Sequence, residues 1–425
     1  MASLEAYVLT FNCGRAQVQP TIFAQHLWDG LASSDVSPEV LVLCLQEIAP
    51  IGYSFLGGSF LTPYFNALRN AVKFASKDTS YVNLITRNVG MTGIMIFVRE
   101  DAVPNLEWLQ TAGIGVGVQG MGNKGAAAVR MGYRAGEDVL SFTFVSAHLA
   151  PMEEALERRN QDYEDIAKGL VFQSESDPKP IDKDEEDEDT SLIEGLPASS
   201  SSTSGMYSTS FLFVGGDLNY RTSTTKPTEE DVNKHFPTMS GDPADPRHYS
   251  LFRFKDQLTQ QLQANRTLHG MSEAPITFPP TYKYREETAP LGPEGWQWAS
   301  HRWPSWCDRI LYLDLPSTMS PAKINVHKYT ALPLLKTSDH RGVALSISIP
   351  LKAIVTPNPS EDLRDAPPFA INPDWKAKRD AARRKEIIVG VVAYLGLTWE
   401  GNGLLLASVI GILGSWLVLS SLLAT

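Results

Sequence analysis

Short apolar runs separated by more polar segments recur along the first 350 residues of the chain. Runs of this length that are rich in β-branched and aromatic residues are typical of buried strands. The last run alternates apolar residues with serine, as a half-buried strand does. We therefore predict strands at residues 6–11, 40–45, 91–98, 139–145, 211–214, 309–313 and 343–349.

One helix is predicted between the fourth and fifth strands. Residues 153–170 carry Ala155, Tyr163, Ile166 and Leu170 at roughly helical spacing. Strands mixed with helices favour an α/β sandwich.

Two segments lack the composition of a packed core. Residues 173–210 change from acidic to rich in Ser, Thr and Gly, which predicts a disordered insertion within a catalytic domain of residues 1–350. Residues 351–386 are first rich in proline and then basic, which predicts a linker.

The C-terminal residues 387–425 are predicted to be a membrane anchor. Residues 403–423 form a run of 21 residues without a charge, and about 20 are needed to span a bilayer. The shorter run at 387–398 would lie in the membrane interface, and a re-entrant hairpin is the competing topology. A basic cluster precedes the anchor, and basic residues stay on the cytosolic side and attract anionic lipid. This cluster consists of Lys376, Lys378, Arg379, Arg383, Arg384 and Lys385.

Charge and cysteine usage narrow the class of protein. The net charge of −11 argues against a nucleic-acid partner. The three cysteines, Cys13, Cys44 and Cys307, show no metal-type spacing and are predicted to be buried thiols. No secretory signal is recognisable at the N-terminus.

Polar residues of catalytic type stand at the ends of the predicted strands. Because sheets bring strand ends together, these side chains can converge on one cleft. Each one alone is more easily explained as a structural residue, and only the set is informative. The set comprises Asn12, Glu47, His148, Asp217, Asn219, Arg221, Asp308, Asp339 and His340.

This set suits metal-assisted hydrolysis of a phosphoester. Oxygen ligands without cysteine clusters favour Mg²⁺ over Zn²⁺. A carboxylate can position the attacking water, and a histidine paired with an aspartate can stay protonated beside the phosphate.

Several motifs resemble those of the inositol polyphosphate 5-phosphatases. Residues 213–221 (FVGGDLNYR) and 303–311 (WPSWCDRIL) match the two signature motifs, and residues 338–343 (SDHRGV) match the closing motif. Residues 122–125, 146–149 and 281–284 fall in the family's order. The resemblance implies a DNase I-like fold: a four-layer sandwich of two packed β-sheets flanked by helices, here followed by a C-terminal transmembrane helix.

The resemblance also implies a role for each matching residue. Glu47 and Asn12 would bind Mg²⁺, Asp217 would orient the attacking water, and Asn219 would hold the scissile phosphate. His340, oriented by Asp308, would contact that phosphate. Asp339 would support the metal side, and His148 would stabilise the phosphoryl oxygens. The implied substrate-binding residues are Lys124, Arg221, Tyr282, Lys283, Arg302 and Arg309.

The sequence departs from the family pattern at two positions. Ser300 replaces a lysine that helps to grip the neighbouring 4-phosphate, which predicts weaker binding unless His301 compensates. Gly215 replaces a bulky residue and affects a core position only.

The implied substrate is a membrane phosphoinositide, with phosphatidylinositol 4,5-bisphosphate favoured. The architecture resembles fungal members with a C-terminal tail anchor, and the endoplasmic reticulum is the favoured membrane. Two rival hypotheses remain: a nuclease or sphingomyelinase on the same fold, and a non-catalytic lipid-binding tether.

Overall fold

Two six-stranded β-sheets pack face to face, and helices cover their outer surfaces. The structure is a computed structural model that describes residues 2–32, 37–173, 203–238, 242–285, 297–355, 358 and 360–423. The predicted four-layer α/β sandwich is confirmed.

The first sheet combines the first four strands of the sandwich with its last two. Its strand order is β13-β14-β1-β2-β4-β3, with β1 parallel to β2 and antiparallel to β14. The strands are β1 (Ser3–Asn12), β2 (Val40–Gln46), β3 (Tyr81–Val89), β4 (Thr92–Arg99), β13 (Asn325–Ala331) and β14 (Val343–Pro350).

The second sheet is built from the middle of the chain. Its order is β11-β12-β10-β7-β6-β5, with β7 parallel to β10 and β12 antiparallel to β10. The strands are β5 (Leu106–Gly115), β6 (Gly125–Ala135), β7 (Asp138–His148), β10 (Phe211–Asp217), β11 (Met271–Ser272) and β12 (Asp308–Leu313).

Apolar side chains on the facing surfaces of the sheets form the central core. At Gly215 the sheets approach so closely that an added Cβ would lie 3.2 Å from the Cys44 sulfur. The outer clusters pack under helices, among them α1 and α3 on the first sheet and α4 on the second. The helices before the C-terminal segment are α1 (Pro20–His26), α2 (Ile51–Leu56), α3 (Thr62–Ala75), α4 (Leu156–Gly169), α5 (Glu229–His235) and α6 (Gln257–Gln263).

All seven predicted strands are present, and the predicted helix corresponds to α4. Among the strands longer than two residues, the hydrophobic pattern missed β3, β5, β6 and β13. Inside the C-terminal part of the predicted insertion, β9 (Ser204–Gly205) pairs with β8 (Val171–Phe172). Residues 174–202 of that insertion lie outside the described residues.

Two long helices end the chain. Helix α7 (Trp375–Leu397) begins inside the segment predicted to be a linker. Helix α8 (Trp399–Leu423) is exposed along almost its whole length and is long and apolar enough to cross a membrane. It is therefore a candidate transmembrane helix.

The three cysteines are free and buried, as predicted. Burial raises the pKa of the Cys13 and Cys44 thiols to about 12. Thiols with such pKa values are weak nucleophiles at neutral pH.

Candidate active site

The polar ends of the central strands meet at one end of the sandwich. The parallel pairs β1–β2 and β7–β10 finish there, and the antiparallel strand β12 starts there. In this register Asp217 lies opposite both His148 and Asp308, and Asn12 pairs with Gln46, the residue before Glu47. Strand alignment thus gathers residues that are up to 300 positions apart in sequence.

Asp217 is the centre of this cluster. Its Oδ2 accepts a hydrogen bond from Asn12 Nδ2 at 3.0 Å and lies 3.3 Å from His148 Nε2. The backbone N–H of Asn219 donates to Oδ1 at 3.2 Å. Burial alone would raise the pKa of Asp217, but the charge of His340 and the neighbouring donors hold it well below its usual value. The carboxylate is therefore ionised and surrounded by donors.

His340 and Asp308 form a buried pair. His340 Nδ1 lies 2.9 Å from Asp308 Oδ2, which also accepts a hydrogen bond from Thr281 Oγ1 at 2.7 Å. Burial would lower the pKa of His340, but Asp308 and Asp217 outweigh it and raise the pKa to about 9. Burial raises the pKa of Asp308 to about 6. Between these values the imidazolium and the carboxylate coexist, so the pair presents a fixed positive charge.

Ligand atoms of Asp217, Asp308 and His340 lie within 4.8 Å of one another, as in a metal-binding group. The distance between His340 Nδ1 and Asp308 Oδ2 is, however, that of a hydrogen bond, which uses the atoms a metal would need. A protonated histidine cannot be a ligand either. We interpret this group as a charge pair beside a carboxylate.

Glu47 offers oxygen donors beside Asn12. Its backbone lies in the left-handed region at φ 46°, directly after the end of β2. Arg15 Nε donates to its Oε2 at 2.7 Å, and Lys124 Nζ lies 3.8 Å from Oε1. Burial would raise the pKa of Glu47, but the surrounding cationic groups lower it below its usual value. The carboxylate is ionised and ready to act as a ligand.

The donor set here fits a hard divalent cation. The carboxylate of Glu47, the amide oxygen of Asn12 and the neighbouring carboxylate of Asp217 are all oxygen donors, the type that Mg²⁺ and Ca²⁺ prefer. The cations Arg15 and Lys124 now balance the negative charge, and a divalent ion can take over that role.

His148 differs from His340 in its charge. Its side chain is completely buried and touches Lys124 Nζ through Nε2. Burial and the charge of Lys124 lower the pKa of His148, so its imidazole is neutral at neutral pH. Burial likewise lowers the pKa of Lys124, although Asp217 and Glu47 oppose that shift.

Arg221 holds Asn219 in place. Its guanidinium donates to the Asn219 carbonyl at 3.0 Å and to the side-chain oxygen of the same residue. Asn219 has φ 57°, a strained conformation for a residue other than glycine, and its amide nitrogen donates to the Leu149 carbonyl at 3.1 Å. The guanidinium also stacks on Tyr282, whose ring lies 4.4 Å from that of His340. These contacts fix the orientation of the Asn219 amide.

Cationic side chains line the neighbouring rim. Lys283 forms an ion pair with Asp339, and Arg302 lies 3.9 Å from the buried carboxylate of Glu153. Burial, Lys283 and Arg302 lower the pKa of His301. His301 is therefore uncharged at neutral pH in the ligand-free rim and does not replace the missing lysine as a standing cation.

Arg309 lies outside the site, and its predicted role in substrate binding is wrong. Its guanidinium is completely buried on the other face of β12, where it binds both oxygens of Asp256 at 3.0 Å and forms an ion pair with Glu273. Successive residues of a strand point to opposite faces, so Asp308 and Arg309 cannot both face the cleft.

Two site contacts were not predicted from the sequence. Arg15 binds Glu47, and its only sequence signal is the preceding Gly14, which permits the turn at φ 61°. Ser338 joins the end of β1 to the loop before β14: its hydroxyl donates to the Asn12 carbonyl at 2.6 Å and accepts from the His340 N–H at 3.0 Å. The position of Ser338 in the closing motif was the available signal for its role.

Comparison with known proteins agrees with this geometry. The model of Endonuclease/Exonuclease/phosphatase family 2 matches residues 9–346. Type II inositol polyphosphate 5-phosphatase 14 of Arabidopsis thaliana is 27% identical over 367 residues, which cover 80% of this chain and 30% of that protein. Type II inositol 1,4,5-trisphosphate 5-phosphatase of Mus musculus is 28% identical over 331 residues, covering 76% and 28%. The chain thus matches about a third of the length of these relatives.

Solved structures share the fold. The inositol polyphosphate 5-phosphatase domain of SPsynaptojanin, in complex with inositol (1,4)-bisphosphate and calcium ion, superposes with a TM-score of 0.60 at 22% identity and 90% coverage of both chains. A Cimex nitrophorin superposes at 0.51 with 18% identity, covering 82% of this chain and 99% of that one, so the fold alone does not specify an activity. The match over residues 9–346, together with the 5-phosphatases among its relatives, confirms the resemblance seen in the motifs: the chain belongs to Endonuclease/Exonuclease/phosphatase family 2.

Proposed function

We propose that the protein is a metal-dependent phosphatase that removes the 5-phosphate from a membrane phosphoinositide. The proposal depends on one observation above all: an ionised carboxylate, a protonated histidine and a set of oxygen donors meet in one buried cluster around Asp217. The preferred substrate in this proposal is phosphatidylinositol 4,5-bisphosphate, which would yield the 4-phosphate.

Glu47 and Asn12 would hold the metal ion, which we propose to be Mg²⁺. When bound, a divalent cation neutralises charge that develops on the phosphate oxygens. Asp339 would support this side of the site, although its direct partner in the structure is Lys283.

The chain's own residues would orient water and phosphate. Asp217 is too weak a base to hold a proton at neutral pH, so its role is to align the water by accepting a hydrogen bond. The water oxygen attacks phosphorus, the bond to the inositol oxygen breaks, and the two protons of water end on phosphate and on the new 5-hydroxyl. The imidazolium of His340 would face the charge that builds up on the phosphoryl group.

Asn219 and His148 would complete the phosphate contacts. The amide of Asn219 is oriented by Arg221 before any ligand arrives. A preoriented donor stabilises the transition state without a cost of reorganisation. His148 and Lys124, which touch each other, would bind the phosphoryl oxygens from the other side.

The rim would select the neighbouring 4-phosphate. Lys283 and Arg302 supply positive charge there, and Tyr282 packs against the catalytic histidine. Because the third cation of the family pattern is Ser300 in this chain, we expect weaker binding of the 4-phosphate than in relatives that have the lysine.

The C-terminal helix α8 would anchor the enzyme in a membrane, with residues 1–350 as the catalytic domain on the cytosolic side. The exposed basic residues of α7 precede α8 and favour the cytosolic side. We propose the endoplasmic reticulum as the location. A resident anchor confines enzyme and lipid to one surface and raises their effective concentration.

Reconstitution of the full chain in vesicles tests the proposal. We expect phosphate release from phosphatidylinositol 4,5-bisphosphate that stops with EDTA and returns with Mg²⁺. Glu47→Gln should raise the Mg²⁺ concentration needed for half-maximal rate. Cleavage of plasmid DNA or sphingomyelin in place of the inositide would assign the protein to another class of hydrolase. Inositide binding without phosphate release would favour a tether.

A further inference from the structure

Helix α7 is packed along the catalytic sandwich on one face only. Its buried residues Ala382, Glu386, Gly390 and Ala393 recur every three or four positions and form a single stripe. This docking stripe lies against helix α2 and the 117–122 loop.

The contact with α2 is close enough to need glycine on both helices. A Cβ on Gly52 would lie 2.9 Å from the backbone nitrogen of Tyr394, and a Cβ on Gly390 would lie 3.0 Å from Phe55 Cβ. Tyr394 also packs edge-on against Phe60, with ring centroids 5.2 Å apart. Such backbone proximity is a property of a specific interface and fixes the register of α7.

Polar contacts hold the same face. Arg383 donates to the carbonyls of Phe55 at 2.5 Å and Leu56 at 3.2 Å, at the C-terminal end of α2, where helix carbonyls lack partners within the helix. Glu386 is buried, and its Oε1 accepts a hydrogen bond from the Gly122 N–H at 2.7 Å. Arg383 lies 3.3 Å from the other oxygen of Glu386.

Two of the segments that α7 touches, helix α2 and the 117–122 loop, flank the site. Helix α2 begins four residues after Glu47, and Gly122 stands two residues before Lys124. The carbonyl of Gly122 also accepts a hydrogen bond from the Met91 N–H at 2.9 Å. The Met91 carbonyl in turn accepts one from the N–H of Ile48, the residue after Glu47. Met91 therefore connects the loop to the segment that follows Glu47. Helix α7 therefore contacts the segments next to Glu47 and Lys124.

We propose that α7 contributes to catalysis by positioning the 117–124 loop, and that Glu386 is the positioning residue. By holding the Gly122 amide, Glu386 keeps Lys124 against Glu47 and His148. Because α8 follows after Thr398, the same docking places this side of the site at the base of the candidate transmembrane helix. The link to catalysis depends on the proposed phosphatase function.

Glu386→Ala in the full chain, purified in detergent, tests the proposal. A soluble inositol polyphosphate is the substrate, so that membrane binding cannot influence the rate. We expect amide hydrogen exchange of the 117–124 segment to become about ten-fold faster, since the loop loses a hydrogen bond to a charged group. We expect kcat to fall about ten-fold, with a smaller change in KM.

Two variants serve as controls. Glu386→Gln keeps an oxygen acceptor for the Gly122 N–H and should restore most of both exchange protection and kcat. Asp380→Ala lies on the exposed side of the same helix, outside the basic cluster, and should leave both unchanged.

Unchanged exchange in Glu386→Ala would overturn the proposal, and so would faster exchange with unchanged kcat. Failure of Glu386→Gln to restore either quantity would also contradict it. If the wild-type chain releases no phosphate from the soluble substrate, kcat is measured on the inositide in vesicles. If none is released there either, the proposed function fails, and the exchange of the 117–124 segment alone then decides whether Glu386 holds the loop.

Discussion

Two buried charged clusters lie on opposite faces of β12, and they begin at consecutive residues. Asp308 faces His340 and Asp217, whereas Arg309 faces Asp256 and Glu273. In the Arg309 cluster, two carboxylates surround one guanidinium, and the Tyr329 hydroxyl donates to Glu273 at 2.7 Å. In the Asp308 cluster, Oδ1 of that residue has no hydrogen-bond partner among the described residues.

The difference separates a structural network from a reactive one. The charges around Arg309 are matched by direct ion pairs, which stabilises the charged forms. Around Asp217 the carboxylate lies 3.9 Å from His340 Nε2, and the acidic partners raise the pKa of His340 to about 9, within the range where its charge can change. Perturbed groups of this kind are typical of functional sites. In the other cluster, burial would lower the pKa of Arg309, but Asp256 and Glu273 raise it further, so its charge is fixed. Mutations in the two clusters should therefore change different measured quantities.

The largest effect is expected in the reactive cluster. Asp217→Asn replaces the anion by a neutral amide that cannot align water in the same way, and kcat should fall about 10²- to 10⁴-fold. The circular dichroism spectrum should remain unchanged. A kcat within about three-fold of wild type would remove Asp217 from the mechanism.

The opposite outcome is expected in the structural cluster. Arg309→Ala leaves two buried carboxylates without their cation and should lower the free energy of unfolding by about 3–5 kcal/mol. At a temperature where the variant is still folded, kcat should stay close to wild type. Arg309→Lys, which keeps the charge, should lose less stability. A large drop in kcat without lower thermal stability would show that the two clusters are not separate.

A pH profile sharpens the comparison. Since the charged partners raise the pKa of His340 to about 9, the imidazolium should persist at neutral pH and kcat should fall as the pH rises through about 9. Asp308→Asn removes the partner and should move this fall to lower pH, with about ten-fold less protonated histidine for each pKa unit. An unshifted profile would mean that another group titrates.

The same pKa shift affects stability. The unfolded-state pKa of histidine is about 6.5. The contribution of the His340 charge beside ionised Asp308 is therefore complete near pH 6.5, just above the Asp308 pKa of about 6, and is lost as the pH rises through about 9. Thermal unfolding of the wild-type chain and of Asp308→Asn should converge across this range.

The smallest effect is expected at the solvent-exposed rim of the Asp308 cluster. Ser300→Lys adds the cation of the family pattern at an exposed position and should lower KM for a 4,5-bisphosphate about two- to five-fold, with little change in kcat. A substrate without the 4-phosphate should show no such gain. Equal gains on both substrates would indicate general attraction of anions.

The strands that the sequence predicted and those it missed differ in their position and composition. Runs such as 40–45 and 211–214 are buried on both faces and read as continuous apolar stretches. Three missed strands, β3, β5 and β13, lie at sheet edges and carry mixed polarity, and β6 begins with Gly and three alanines. Their strand identity comes from pairing with neighbours, which a local pattern does not contain.

The sequence allowed most residues of the site to be predicted, but not how they are arranged. Asn12, Asp217, His148 and His340 were singled out because they end or precede apolar runs, and strand register does bring them together. Arg309 stood in the same motif, yet the strand directs it away from the cleft. Arg15 and Glu386 belong to no recognised motif, and only their contacts in the structure connect them with the site.

The sequence by itself determined the sandwich class, the family and the inventory of acidic, amide and imidazole groups, because apolar periodicity and local motifs are written along the chain. The tertiary structure decided which histidine is charged, which arginine is buried in an ion-pair network, and that α7 docks beside the site. These features depend on burial and on charges from distant segments, which set pKa values and contacts only once the chain has folded.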